Sequence, residues 1–234
     1  MFYVTGDTHG VLDFDHIKKI RKQVPDYRDY LFILGDVAIA WDESSLENNV
    51  RLYESLGYTI LFIDGNHENF PLLYSFPIST ILGAKAHQIS DHIFHIIRGE
   101  VLDYNGMSAL CIGGAKSSDR VIRRLGFDYW DEEMISPQDI ANAFANIKKH
   151  SGRVDYIFTH CCDSFTVSNC IGYEADESTD QLSNLDDMVT YRMWLFGHYH
   201  KDARYAKDRL CIYQWVYRVE KDGLYDVNDG RRLY

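Results

Sequence analysis

Phe2-Tyr3-Val4-Thr5-Gly6-Asp7-Thr8-His9-Gly10 opens the chain: four aromatic or β-branched residues, then a glycine, a carboxylate and an imidazole in quick succession. Such a run reads as a short strand that stops at a polar turn. The phrase recurs. Tyr30 to Leu34 ends in Gly35-Asp36, and Tyr58 to Ile63 ends in Asp64-Gly65-Asn66-His67-Glu68. Between the first two strands, Asp13 or Asp15 can cap a helix with Phe14, Ile17, Ile20 and Val24 on one face. Between the second and third, a helix from about Glu43 carries Leu46, Val50, Tyr53 and Leu56 and stops at Gly57. Strand alternating with helix in this way predicts βαβ crossovers and parallel pairing.

The centre of the chain has another rhythm. Ile93 to Ile97, Glu100 to Asp103 and Met107 to Ile112 read as strands of a meander, with Asn105-Gly106 as a hairpin turn. Ser136-Pro137-Gln138-Asp139 is a helix start, and Ile140, Phe144 and Ile147 form that helix's buried stripe. Val154 to Thr159 is a further strand, ending at His160. Leu182 to Val189 has no decisive period. Met193 to Phe196 ends in Gly197-His198-Tyr199-His200, and the tail from Asp202 reads as antiparallel strands. With no repeat, linker or low-complexity tract, a single domain over residues 1–234 is expected.

The 234 residues are 46% hydrophobic and 25% charged, which fits a folded globular chain and excludes disordered or fibrous classes. Apolar runs such as Tyr30 to Leu34 fall far short of the ~20 residues that span a bilayer, so no membrane partner is expected. Residues 1–10 lack the basic start and apolar core of a secretory signal. The five cysteines are odd in number and show no C-x-x-C spacing. A cytoplasmic protein with free thiols is the expectation; oligomeric state is left open. The net charge of −11 repels a polyphosphate backbone, so no extended nucleic-acid surface is expected. Local phosphate binding through metal ions is compatible with that charge.

The candidate ligands sit at strand ends: Asp7 and His9, Asp36, Asn66 and His67, His160, His198 and His200. Open α/β sheets bind ligands beyond the carboxyl ends of their strands, so five segments can deliver side chains to one place. Collected there are two carboxylates, one amide and five imidazoles. That donor mixture suits Mn, Fe, Zn or Ni better than Mg or Ca. Taken singly, each pair is explained as a turn, a cap or a hydrogen-bonded histidine. The ordered set, each member after an apolar strand, is specific.

This set resembles the calcineurin-like metallophosphoesterase superfamily. Its pattern D-x-H, G-D, G-N-H-[E/D], H, G-H-x-H is matched by Asp7/His9, Gly35/Asp36, Gly65 to Glu68, His160 and Gly197 to His200, spanning residues 5 to 200. The runs Gly113-Gly114-Ala115 and Trp130-Asp131-Glu132-Glu133 are similar to those of bacterial and phage members. The resemblance implies an α/β fold with two mixed β-sheets in a sandwich flanked by helices. It also implies two divalent metal ions, one on Asp7, His9, Asp36 and His200, the other on Asp36, Asn66, His160 and His198. Asp36 would bridge them and His67 would be the catalytic imidazole. Manganese is the first choice, with Fe, Zn or Ni as alternatives. A metal-bridging hydroxide would attack phosphorus in line while His67 protonates the leaving oxygen. The expected substrate is a small phosphorylated molecule, a phosphomonoester first. The alternative is a nucleotide or cyclic-nucleotide phosphodiesterase or nuclease. From another class comes a catalytically silent metal-binding interaction scaffold, disfavoured because all eight positions are intact.

One departure stands out. Phosphoprotein phosphatases of the superfamily continue the second motif as G-D-x-x-D-R, with the aspartate orienting the catalytic histidine and the arginine contacting phosphate. Here Ile39 and Ala40 stand at those positions, so that type of activity is not expected. Asp42 or Asp64 is the substitute for orienting His67, with an ordinary turn residue as the favoured reading of each. Lys116 and Arg120, after the glycine pair, are the candidate substrate-binding residues; the alternative is an ordinary loop with solvated arginines. His16, His87, His92, His95 and His150 lie outside the motifs, and Cys161 and Cys162 read as packed thiols.

Overall fold

The computed structural model describes residues 1–206 and 208–233. The chain begins with β1 (Phe2–Thr5), α1 (Asp15–Lys18), β2 (Tyr30–Ile33), α2 (Glu43–Glu54), β3 (Thr59–Phe62) and α3 (Phe70–Leu73). A run of strands follows: β4 (Ile78–Ile81), β5 (Ala84–Ser90), β6 (Ile93–Ile96), β7 (Glu100–Tyr104) and β8 (Met107–Ile112). Then come α4 (Pro137–Lys149), β9 (Tyr156–Thr159), α5 (Glu177–Asp186) and β10 (Met193–Phe196). Four short strands close it: β11 (Ala203–Tyr205), β12 (Arg209–Cys211), β13 (Val216–Glu220) and β14 (Gly223–Asp226).

These strands make two mixed sheets. One has the order β14-β13-β1-β2-β3-β6-β5-β4, the other β11-β12-β10-β9-β8-β7. The centre of each is parallel: β1, β2, β3 and β6 in the first, β8, β9, β10 and β12 in the second. Strand periodicity splits the apolar residues between two faces. Inward, Val4, Phe32 and Leu61 pack with Phe158, Leu195 and Leu210 of the facing sheet. Outward, Leu31, Ile33 and Ile60 meet Ile17, Tyr53 and Leu56, while Ile157, Trp194 and Phe196 meet Ile140, Ile147 and Leu182. Being covered on both faces, β3, β9 and β10 are buried at every position, which is why they read as unbroken apolar runs.

Several local expectations hold. Asp42 accepts from Ser45 N–H at the start of α2, and Ser136 and Asp139 form a reciprocal capping box on α4. Asn105 and Gly106, at φ of 49° and 78°, join β7 to β8. Others are corrected. The first helix is a single turn with no side-chain cap, the Asp13 carboxylate being taken by His9 Nδ1 at 2.8 Å, and Val24 lies beyond it, exposed. Leu182 falls inside α5, which Asp176 caps. In the tail, β12 runs parallel to β10, because the antiparallel β11–β12 pairing turns the chain back first. The β4–β5 hairpin carried no recognised signal: its turn is Leu82-Gly83, and Leu82 is an unusual residue at φ of 49°. Among the described residues, no helix is long and apolar enough to cross a membrane.

Candidate metal centre

The carboxyl ends of β1, β2 and β3 in one sheet and of β9 and β10 in the other come together, and the loops leaving them carry the candidate ligands. One donor atom each from Asp7, His9, Asp36 and His200 lie within 4.8 Å of one another. Asp36, His160 and His198 form a second group at the same spacing. Asp36 belongs to both. Asn66 joins the second group, with Oδ1 3.2 Å from His160 Nε2. His67 stands beside them: its backbone N–H donates to Asp36 Oδ1 at 2.8 Å, and its ring centre is 5.4 Å from that of His9. The structure thus brings together all eight residues singled out at the strand ends.

Tight backbone turns make this convergence possible. Gly35 has φ of 100° and lies against the His160 ring, which any Cβ would overlap. Gly65 is pressed equally closely on Asp36. Nine non-glycine residues among those described have positive φ, and four of them are His9, Asp36, His198 and His200. Backbone in this region is costly, and its concentration here marks the site as the place where strain is held. Hydrogen bonds hold it. His9 N–H donates to Asp36 O at 2.7 Å, His198 N–H to the Asp7 carboxylate at 3.1 Å, and Val37 N–H to buried Glu68 Oε1 at 2.8 Å. His160 Nδ1–H donates to the Leu34 carbonyl at 2.7 Å, which directs Nε2 into the centre.

The electrostatics ask for a cation. Asp7 and Asp36 are each 1% exposed, and among the described residues their ion-pair partners are imidazoles. Burial opposes ionisation of Asp36, but the His160 charge and hydrogen bonds from His160 and His9 hold its carboxyl well below the usual range. Burial likewise opposes a charged His160, yet Asp36 pushes it up to about 10. His9 rises to about 9 against its own burial, chiefly through its hydrogen bond to Asp36. His198, buried beside His160, falls to about 3. Two sequestered carboxylates therefore draw protons onto two neighbouring rings, and divalent ions can supply that positive charge instead. A mixed oxygen and imidazole donor set fits first-row metals.

The flanking residues divide between two openings. A cleft of about 170 Å³ opens on the centre, lined by Asp36, Asn66, His67, Arg123, His198 and His200 among others. Neither Lys116 nor Arg120 lines it. Lys116 Nζ is 3.0 Å from Glu177, and Arg120 Nε is 2.6 Å from Glu133, a fully buried carboxylate that requires a partner. Both cations line a neighbouring cavity of about 470 Å³ that meets the cleft at Ser118 and His198. Among the described residues, the cation lining the cleft is Arg123. Its guanidinium lies 3.2–3.3 Å from the ring nitrogens of His67, with Nε 2.7 Å from Asp119. Burial, reinforced by Arg123, keeps the His67 ring below its usual value against the pull of Asp36. Asp42 and Asp64 do not reach His67. Asp42 caps α2, while Asp64 is buried and held by His95 at 2.9 Å and by Arg98. Only the Asp119–Arg123 spacing of four in the glycine loop hints at the arginine in the sequence.

Remaining candidates have structural partners. His16 bonds Thr5, and His87 and His95 bond each other. Burial pushes the Cys161 and Cys162 thiols up, so they are poor ligands and nucleophiles.

Carboxylates and imidazoles gathered where two mixed sheets meet define a metal-dependent hydrolase. The chain belongs to the calcineurin-like phosphoesterase family, whose profile matches residues 1–202, and is a metal-dependent phosphoesterase. Among solved structures it is similar to phosphopantetheinyl hydrolase from Mycobacterium tuberculosis, at 12% identity and a TM-score of 0.47, over 91% of this chain and 89% of that one. A protein of unknown function from Aquifex aeolicus is 15% identical, with a TM-score of 0.36, over 82% of this chain and 87% of that one. No curated protein sequence matches.

Proposed function

We propose that this phosphoesterase is dinuclear and acts first on small phosphomonoesters. The observation that carries the reading is that Asp36 alone belongs to both ligand groups. Asp7, His9, Asp36 and His200 would hold one divalent ion; Asp36, Asn66, His160 and His198 the other, with manganese first and Fe, Zn or Ni as alternatives. When bound, such a pair supplies Lewis acidity toward water and a phosphoryl group. The protein's own groups do the rest. Arg123, steadied by Asp119, is placed to hold phosphoryl oxygens by charge-assisted hydrogen bonds. His67 is the proposed donor to the leaving oxygen; an anionic phosphoryl beside it offsets the burial and the Arg123 charge and raises its affinity for a proton.

Size supports a small substrate. The cleft of about 170 Å³ accommodates a phosphoryl group, and the leaving group extends toward the adjoining cavity of about 470 Å³. Tyr173 and Tyr199, with ring centres 5.5 Å apart, line that cavity and support a nucleotide or cyclic-nucleotide diester as the second reading. The net charge of −11 supports neither an extended nucleic acid nor an anionic membrane as partner. One core shared by both sheets supports a single domain, and five free cysteines, four of them buried, support a cytoplasmic setting.

The test is metal-stripped protein with Mn²⁺ or Ni²⁺ restored, assayed on para-nitrophenyl phosphate and its bis-ester beside His67→Ala. Expected are metal-dependent hydrolysis, a preference for the monoester, and loss in the variant. Preference for the bis-ester selects the second reading. Two bound ions without turnover of either ester leave a more selective enzyme or the scaffold, and no metal binding refutes the centre.

A further inference from the structure

Glu133 ends a short 3₁₀ turn, Asp131–Glu133, and is fully buried. Its segment is held by Arg98, which donates to the carbonyls of Glu132 at 2.8 Å and Met134 at 2.7 Å while also gripping Asp64 after β3. The Glu133 carboxylate collects three donors: Ser117 N–H at 2.7 Å, Arg120 Nε–H at 2.6 Å and the Ser117 hydroxyl at 2.9 Å. Paired with a guanidinium, a carboxylate only accepts, so the Ser117 hydroxyl proton must point at Glu133. The oxygen's remaining capacity is as an acceptor. It takes Asn66 Nδ2–H at 3.1 Å. With its NH₂ engaged there, Asn66 presents its oxygen to the opposite side.

On that side the polarity has a consequence. His160 spends its Nδ1–H on the Leu34 carbonyl, so Nε2 faces Asn66 Oδ1 at 3.2 Å and Asp36 Oδ1 at 3.4 Å. With the His160 ring neutral, as a metal ligand requires, its Nε2 and the Asn66 and Asp36 oxygens turn lone pairs toward one point, an arrangement that a cation or a proton satisfies. Flipping the Asn66 amide would offer NH₂ to His160 and relieve the conflict without any metal. The Ser117–Glu133 contact opposes that flip.

We propose that Ser117 and Glu133 are positioning residues that fix the amide of Asn66 with its oxygen toward the ion shared by Asp36, His160 and His198. The inference rests on the dinuclear reading above. Arg120 anchors the chain of contacts from outside, so its part in the site is to orient a ligand rather than to grip phosphate. Glu133→Gln is near-isosteric but can donate to Ser117, freeing the hydroxyl proton to face Asn66 and favouring the flipped amide. Ser117→Ala removes the restraint altogether.

The experiment is calorimetric titration of Mn²⁺ into metal-stripped protein, with the melting transition of each metal-free variant recorded alongside. Two ions are expected on the wild type. Ser117→Ala and Glu133→Gln should keep the first ion and bind the second roughly 10–100-fold more weakly, the range for partners that orient a ligand. Ser117→Thr, which retains the hydroxyl, should restore the second. In an Asn66→Ala background, Ser117→Ala should add no further loss, because the amide through which it acts is gone. Unchanged second-ion affinity, or losses that add fully to that of Asn66→Ala, overturns the positioning role. Fewer than two ions on the wild type refutes the dinuclear reading instead. A uniform drop in metal-free melting temperature, with both ions equally weakened, shows a merely structural contact and also overturns it.

Discussion

Asp36 carries more of the centre than any other residue. Its side chain reaches His9 and His160, accepts the His67 backbone N–H, and belongs to both ligand groups. Asp36→Asn keeps the shape and removes the charge, so it should weaken both ions and lower kcat by about 10²-fold or more, as loss of transition-state charge stabilisation does. Metal titration together with kcat checks this, and full occupancy with full activity would refute the bridge. The two cation positions make opposite predictions. Arg123 faces His67 in the cleft, and removing a charged hydrogen-bond donor costs about 1.5–3 kcal/mol, so Arg123→Ala should lower kcat/KM for phosphomonoesters by roughly 10–100-fold. Lys116 is spent on Glu177 at the surface, and Lys116→Ala should leave KM within about twofold. A raised KM in Lys116→Ala, with Arg123→Ala unaffected, would return the phosphate contact to Lys116.

At the scale of elements, the strand-to-loop turns do the positioning, and the β2 turn is the most constrained. Gly35 at φ of 100° lies against the His160 ring, so Gly35→Ala meets both a backbone penalty and an overlap. It should lower the melting temperature and displace His160, weakening the ion on Asp36, His160 and His198 before the other. Separate affinities from a two-site Mn²⁺ titration would show this; an equal loss at both sites would place the strain elsewhere. These turns are also why the ligands were legible in sequence. Each follows a strand whose two buried faces force an unbroken apolar run, so Asp7, Asp36, Asn66, His160 and the His198–His200 pair all announce themselves locally. Arg123 does not. Its relation to His67 spans 56 positions and depends on how one loop lies over another. The relay from Glu133 through Ser117 to Asn66 was hidden for the same reason, and α1 was overread because Asp13 serves His9 rather than a helix N-terminus.

Across the whole molecule, each sheet supplies part of the centre, so its geometry depends on networks that tie distant strands together. One runs from the β5–β6 pair to the loop after β3. His87 Nδ1 lies 3.0 Å from His95 Nδ1, and His95 Nε2 lies 2.9 Å from Asp64 Oδ1. Asp64, paired with Arg98, only accepts, so His95 donates through Nε2 and takes the His87 proton at Nδ1. Burial, then the proximity of His95, pushes His87 down to about 4. Unfolded, the same ring takes up its proton near the ordinary value of about 6.5. As pH falls between those values the unfolded chain binds the extra proton and the folded one does not, so the stability that His87 contributes above pH 6.5 is lost progressively toward pH 4. His87→Gln, which can still donate to His95, removes the titration. Its melting temperature should therefore fall less than that of the wild type across this window, while the two run parallel above pH 7. Metal-free samples of both proteins, melted at half-unit pH steps, make the comparison, because His9 and His160 titrate in both and cancel in the difference. Identical slopes between pH 6.5 and 4 would assign the acid sensitivity to groups other than this pair.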